Sequence, residues 1–330
     1  VRKLFWLLDP FEKPSDAVET GAWVAGLSEK LKIPIQPVHV LSGGALAFSP
    51  EIHAAWLMQV ALQAETRLRK LVDRLKVPHL LPPVVLSEIY RSRSEAVAAL
   101  LEFARESDVE LFVLQRLSGA KKNAKIGGFA ETLLLKSEIP VLVVPRHRRS
   151  ELTIKPRVPS KLVVGLDLEG DPLPMLDLVF QWAKRLGARV HLFHSALPYP
   201  SMGYRATADI FPGDWSGPVA PMTLSSWQAD LQARRKRMES FRVRAQKKGV
   251  PCTIEIDSAS TRAVDGLLRC ARARRADWIA VAGKSGKWSA LILGSVSRTL
   301  AREAPCPVWI VRLESERESE KRSARKLRAA

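Results

Sequence analysis

Residues 116–145, RLSGAKKNAKIGGFAETLLLKSEIPVLVVP, return at 283–312 as GKSGKWSALILGSVSRTLAREAPCPVWIVR, at a constant offset of 167 with no gap. Ser118/Ser285, Gly119/Gly286, Gly127/Gly294, Thr132/Thr299, Leu133/Leu300, Pro140/Pro307, Val141/Val308 and Val144/Val311 coincide. Each copy reads as a glycine loop, an amphipathic helix and a Pro-led apolar strand. Glycine ahead of a helix start exposes unpaired backbone N–H groups, which suits an anion such as phosphate. The chain therefore reads as two copies of one α/β unit, each a candidate nucleotide pocket.

The repeat extends upstream of that segment. The first strands read KLFWLLD, ending at Asp9, and KLVVGLD, ending at Asp167. The second read IQPVHV and ARVHLFH, with His39 and His194 in similar positions. Third strands are expected at 83–89 and 250–256, each followed by a helix (Ser94–Glu106 and Thr261–Arg275). ELFVLQ and DWIAVA supply the fourth strands, VLVVP and VWIVR the fifth. Near-continuous apolar strands alternating with helices predict a buried parallel sheet in each unit. Ligands in such sheets sit beyond the carboxyl ends of the strands, where the strand order switches. The apolar, β-prone edges of VLVVP and VWIVR need covering, and joining them antiparallel within one chain makes the molecule its own dimer.

At 330 residues, two domains of about 150 are the prior. The boundaries are read as 1–146 and 161–313, with a polar, basic linker at 147–160 broken by Pro156 and Pro159, and a charged, disordered tail at 314–330. No apolar run reaches the roughly 18 residues that would span a membrane, and VRKLFWLLDPFE matches a first strand better than a signal peptide. Cys252, Cys270 and Cys306 form no CxxC and read as core thiols of a cytoplasmic protein.

The net charge of +18 is uneven. Residues 1–150 hold 21 Lys and Arg against 16 Asp and Glu; the remainder holds 31 against 18. Much of the excess lies in ARRKRMESFRVRAQKKG (233–249) and around Arg269, Arg272, Arg274 and Arg275. Such a field draws nucleic acid, anionic lipid or polyphosphate, or is a solvated helix face over Met238, Phe241 and Ala245. No nucleic-acid module accompanies it, so that partner ranks last. The segment 195–227, rich in Pro, Gly and aromatics, reads either as a lid over the second pocket or as a surface excursion.

The pattern GKSG…LGSVSRTLAREAPCPVWIVR resembles the universal stress proteins in their tandem two-domain form. The resemblance covers the chain apart from its tail and is strongest at 293–312. It implies two doubly wound five-stranded parallel domains of the adenine nucleotide alpha hydrolase-like kind, packed as an internal pseudo-dimer through their last strands. It also implies ATP bound through Gly-x2-Gly-x9-Gly-(Ser/Thr) in many members and no nucleotide in others. By motif, Asp167 would lie by the adenosine and backbone near His194 would flank the base. Gly283 and Gly286 would let the loop approach the phosphates. Gly294, Ser295 and Ser297 would supply N–H and hydroxyl donors at the helix start. Small residues and hydroxyls at a helix N-terminus favour an anion on physical grounds as well.

The chain departs from that pattern. Seven residues, KWSALIL, separate Gly286 from Gly294 where the family has nine, and Gly119 and Gly127 show the same spacing. A shorter loop cradles fewer phosphates, which Lys284 and Lys287 can offset. In the first unit Arg116 replaces Gly283, Gly128 replaces Ser295 and Ala130 replaces Ser297, so this unit is expected to be degenerate and mainly structural, with Arg116 contacting a phosphate as the alternative.

His39, His53, His79, His147, His191 and His194 show no metal-ligand spacing, and His191 and His194 fall on opposite faces of one strand. No nucleophile elbow, GxGxxG or Walker spacing occurs. No base or Mg²⁺-binding pair supports turnover, so an enzyme is not expected, although Asp167 and the glycine loop could serve slow ATP hydrolysis. Three functions follow in order. First is a cytoplasmic stress or regulatory protein binding ATP, with Mg²⁺, in its second unit. Second is a nucleotide-free module that binds a regulatory protein partner or a second copy. Third is a nucleic-acid-associated protein relying on Arg234, Arg235, Arg237, Lys247 and Lys248.

Overall fold

A computed structural model describes residues 2–41, 50–87, 92–116, 127–146, 155–196, 198, 223–283 and 294–311. Gly286, the tail, the linker up to residue 154 and most of 195–227 lie outside the described residues. The first half runs β1 (Lys3–Leu7), α1 (Pro14–Leu31), β2 (Ile35–Val40), α2 (Pro50–Leu75), β3 (Val84–Leu86), α3 (Arg93–Glu106), β4 (Val109–Gln115), α4 (Gly128–Lys136) and β5 (Val141–Val144). The second repeats it as β6 (Lys161–Gly165), α5 (Leu173–Leu186), β7 (Arg189–Ser195), α6 (Leu224–Lys247), β8 (Cys252–Asp257), α7 (Ala263–Arg274), β9 (Trp278–Ala282), α8 (Ser295–Glu303) and β10 (Val308–Val311).

All ten strands form one sheet, in the order β3-β2-β1-β4-β5-β10-β9-β6-β7-β8. Neighbours are parallel within each half; β5 and β10 alone meet antiparallel, Val141 opposite Ile310, Leu142 opposite Trp309 and Val143 opposite Val308. These apolar strands cover each other's edges, so the two expected sheets become one. Leu142 and Trp309 are equivalent under the 167-residue offset. A pseudo-two-fold axis therefore passes through that pair, perpendicular to the sheet, and the strands of the two halves run in opposite directions.

Helices cover both faces, which is why the strands read as unbroken apolar runs. Leu4 and Trp6 point to the face of α1, α2, α5 and α6, while Phe5 between them points to the face of α3, α4, α7 and α8. Each face carries one hydrophobic cluster that continues across the seam. On the first face four indoles form a chain, Trp23 to Trp278 (centroids 5.8 Å apart), Trp278 to Trp309 (6.0 Å) and Trp309 to Trp182 (5.4 Å), and its first link joins the two halves. An aromatic pair of this kind adds about 0.5–1.5 kcal/mol beyond the area it buries, so the Trp23–Trp278 contact contributes to holding the halves together.

The connection between the halves packs on α1. Arg157 N–H donates to Ala22 O (2.8 Å), its guanidinium reaches Glu19 Oε1 (2.6 Å), and it lies 5.8 Å from the Trp23 ring centroid. Gly26 makes this approach feasible, because a Cβ there would lie 2.0 Å from Arg157 O.

Candidate functional site

The loop after β6 carries Asp167, whose Oδ1 accepts from Glu169 N–H at 3.0 Å. Asp9 makes the same turn after β1, accepting from Phe11 N–H at 2.9 Å. In both copies the aspartate shapes the turn and stays exposed at the carboxyl edge of the sheet.

Beside Asp167, His194 is buried near the end of β7. Its Nδ1–H donates to Leu166 O (2.9 Å), leaving Nε2 to accept from Arg234 of α6 (2.9 Å). Burial chiefly, with the Arg234 charge adding to it, lowers the pKa of His194 and keeps the ring neutral. His39 repeats the first bond, to Leu8 O at 2.8 Å, and burial likewise lowers its pKa. The histidines thus tie each first-strand loop to the second strand.

Around Asp167 and His194 lies a cavity of about 220 Å³ whose lining includes Gly165, Phe193, Ala263, Leu267, Ala282 and Ser297. Three of the expected site residues, Asp167, His194 and Ser297, therefore converge. Ser297 is buried and its hydroxyl donates to Ala282 O (2.7 Å), so it fastens α8 to β9 where the sequence reading had it as a ligand donor. Gly283 lies beyond β9 with its N–H bonded to Val311 O (2.7 Å). Gly294 caps α8 and the exposed Ser295 opens it, outside the cavity lining.

Several lining residues were not singled out in the sequence. At Gly165 a Cβ would lie 2.7 Å from Leu267 Cδ2, so glycine lets α7 settle close to the cavity floor. Its counterpart after the same apolar run is Leu7, and a strand glycine replacing leucine was the available signal. Arg234 also bonds Asp230 (2.6 Å), while Arg237 donates to Leu168 O and to Gly170 O (2.7 Å), holding the Asp167 loop against α6. Lys248 joins Arg244 on Asp177 of α5, at 2.7 Å to either cation. Three of the five cations read as nucleic-acid contacts, Arg234, Arg237 and Lys248, are thus committed within the fold.

The first half has its own cavity, about 240 Å³, lined among others by Asp9, Glu12, Lys13, His39, Gln115 and Phe129. Arg116 turns away from it, donating to Ala304 O across the seam (3.1 Å), which displaces the alternative phosphate role.

Among the described residues, His191, Glu255 and Cys270 bring ligand-type atoms within 4.8 Å of one another. Arg274 already sits on Glu255 Oε2, at 2.8 and 3.3 Å, so the cluster contains its own cation. His191 Nδ1 and Thr253 Oγ1 share a hydrogen bond of 2.7 Å, and burial pushes the imidazole pKa down to about 4.

Residues 160–312 match the model of the Universal stress protein family. Two curated universal stress proteins of Mycobacterium tuberculosis, one from each of two strains, are 25% identical to the chain over 304 residues, covering 88% of this chain and 90% of theirs. The crystal structure of a universal stress protein from Archaeoglobus fulgidus covers 94% of this chain and 98% of its own, with a TM-score of 0.56 and 15% identity, a likeness of fold.

Proposed function

We propose that this chain is a universal stress protein in the tandem two-domain form, binds an adenine nucleotide in the second-half cavity and acts as a stress-responsive regulator in the cytoplasm. The carrying observation is the convergence of Asp167, neutral His194 and the start of α7 on one cavity at the carboxyl edge of the sheet. Asp167 is an acceptor suited to ribose hydroxyls or an exocyclic amine. Leu166, Phe193, Leu267 and Val281 offer an apolar surface for a base. The glycine loop that would meet the phosphates lies outside the described residues, and Mg²⁺ would enter with the phosphates.

Charge favours the second half over the first. Among the described residues the charged groups lining the two cavities balance alike, Asp9 and Glu12 against Lys13 in the first and Asp167 in the second, so the difference lies in the surrounding field. The second half carries most of the basic excess, which raises the local concentration of an anion.

Calorimetric titration of Mg·ATP and of AMP tests this reading on the full chain. One saturable site is expected, weakened at least tenfold by Ala263→Leu, which fills the second cavity, and by Asp167→Ala. Ala130→Leu in the first cavity should leave it unchanged. No binding to the unsubstituted chain would turn the reading toward a nucleotide-free interaction protein.

A further inference from the structure

The seam between the halves contains positions that a symmetric assembly would place against their own copies. In a two-fold interface, a residue on the axis meets itself. Leu142 and Trp309 are such a pair, equivalent by sequence and directly opposed in the β5–β10 ladder. On the other face Glu131 of α4 and Arg298 of α8 are a second. Arg298 Nε lies 3.4 Å from Glu131 Oε1, an ion pair without an aligned hydrogen bond, and Arg302 lies 3.9 Å from the same oxygen.

Each pair has diverged in complementary directions. Where one half supplies leucine the other supplies tryptophan, and where one supplies an acid the other supplies a base. A third contact behaves alike: Arg116 approaches Glu303 and bonds Ala304 O, while its counterpart is Gly283 and Glu303's counterpart is Lys136. We infer that the seam is a matched lock which admits only the complementary half of this chain and rejects pairing of either half with its own kind. First half against first half would set Glu131 on Glu131, Arg116 near Lys136, and leave Leu142 facing leucine across a space tryptophan now fills. Second half against second half would set Arg298 on Arg298 and crowd two Trp309 indoles onto one axis. Specificity is a difference between such alternatives, so repulsion in the wrong pairs counts as much as attraction in the right one. Isolated, half-exposed ion pairs contribute little, and the volume match carries more of the discrimination.

The test builds the rejected seams inside the full chain. Glu131→Arg with Leu142→Trp makes the first half's seam a copy of the second's; Arg298→Glu with Trp309→Leu does the converse. Each double variant should lose about 5 °C or more in thermal midpoint. The fourfold exchange, which restores a matched seam with the sides swapped, should recover most of the loss. Should the core changes prevent folding, Glu131→Arg, Arg298→Glu and their combination repeat the cycle at half-exposed positions, with smaller shifts. Losses that simply add in the exchanged chains would overturn the inference, as would like-with-like variants as stable as the original.

Discussion

His191 makes acid sensitivity a property of single residues. Its imidazole, buried between Thr253 and Glu255 with Arg274 on the same carboxylate, has a pKa of about 4 against 6.5 when exposed. The unfolded chain therefore binds the extra proton first as pH falls. Stability should decline from about pH 6.5 and finish declining near pH 4, with this group adding a slope of up to about 1.4 kcal/mol per unit. His39 and His194, also shifted down, add in the same direction. Denaturant titrations at stepped pH should show a shallower slope in His191→Phe; an unchanged slope would mean that the histidine does not report on folding. The sequence made His191 and His194 visible and set them on opposite faces, as the structure has them. It could not show that Arg234 would reach His194, because the rotation of a helix over a sheet is set by packing, not by spacing along one strand.

At the scale of elements, the strands were legible because burial on both faces leaves long apolar runs, and the second strand of the first half was read at Ile35–Val40, the bounds it has. Helix starts were less so: α3 opens at Arg93 after the Ser92 cap, whose Oγ accepts from Glu95 N–H, one residue ahead of the reading. The close fit of α1 to the connecting segment left no sequence signal beyond a glycine in a helix. Gly26 gives it a test whose sign is decisive. Helix propensity alone favours Gly26→Ala by about 1 kcal/mol. The clash with Arg157 O predicts the reverse, a loss of about 1–3 kcal/mol in chemical unfolding. A stabilised Ala variant would show that the connection does not press on α1.

For the whole molecule, the tandem architecture was legible from the 167-residue repeat, and the antiparallel joining from two apolar edges. What escaped was the depth of the fusion. Nothing in the sequence marks Trp23 and Trp182 as neighbours of Trp278 and Trp309, against which the fold packs them. Both hydrophobic layers are continuous across the seam, so the two halves share core packing. Heating should therefore give one cooperative transition with matching calorimetric and van't Hoff enthalpies. Two resolved transitions would mean that the halves melt independently. Of the residues lining the candidate cavity, the sequence singled out Asp167, His194 and Ser297; the small floor residues take their meaning from what packs against them.

The opposed strand directions of the halves have a consequence for communication. Because each cavity opens at the carboxyl edge of its own strands, the two mouths look out from opposite ends of the sheet. No flat surface can read both at once, and two small occupants cannot touch. Coupling between them would run through the shared sheet and the apolar layers that continue across the seam, so a partner docked at one end meets its own cavity directly and the far one through that packing.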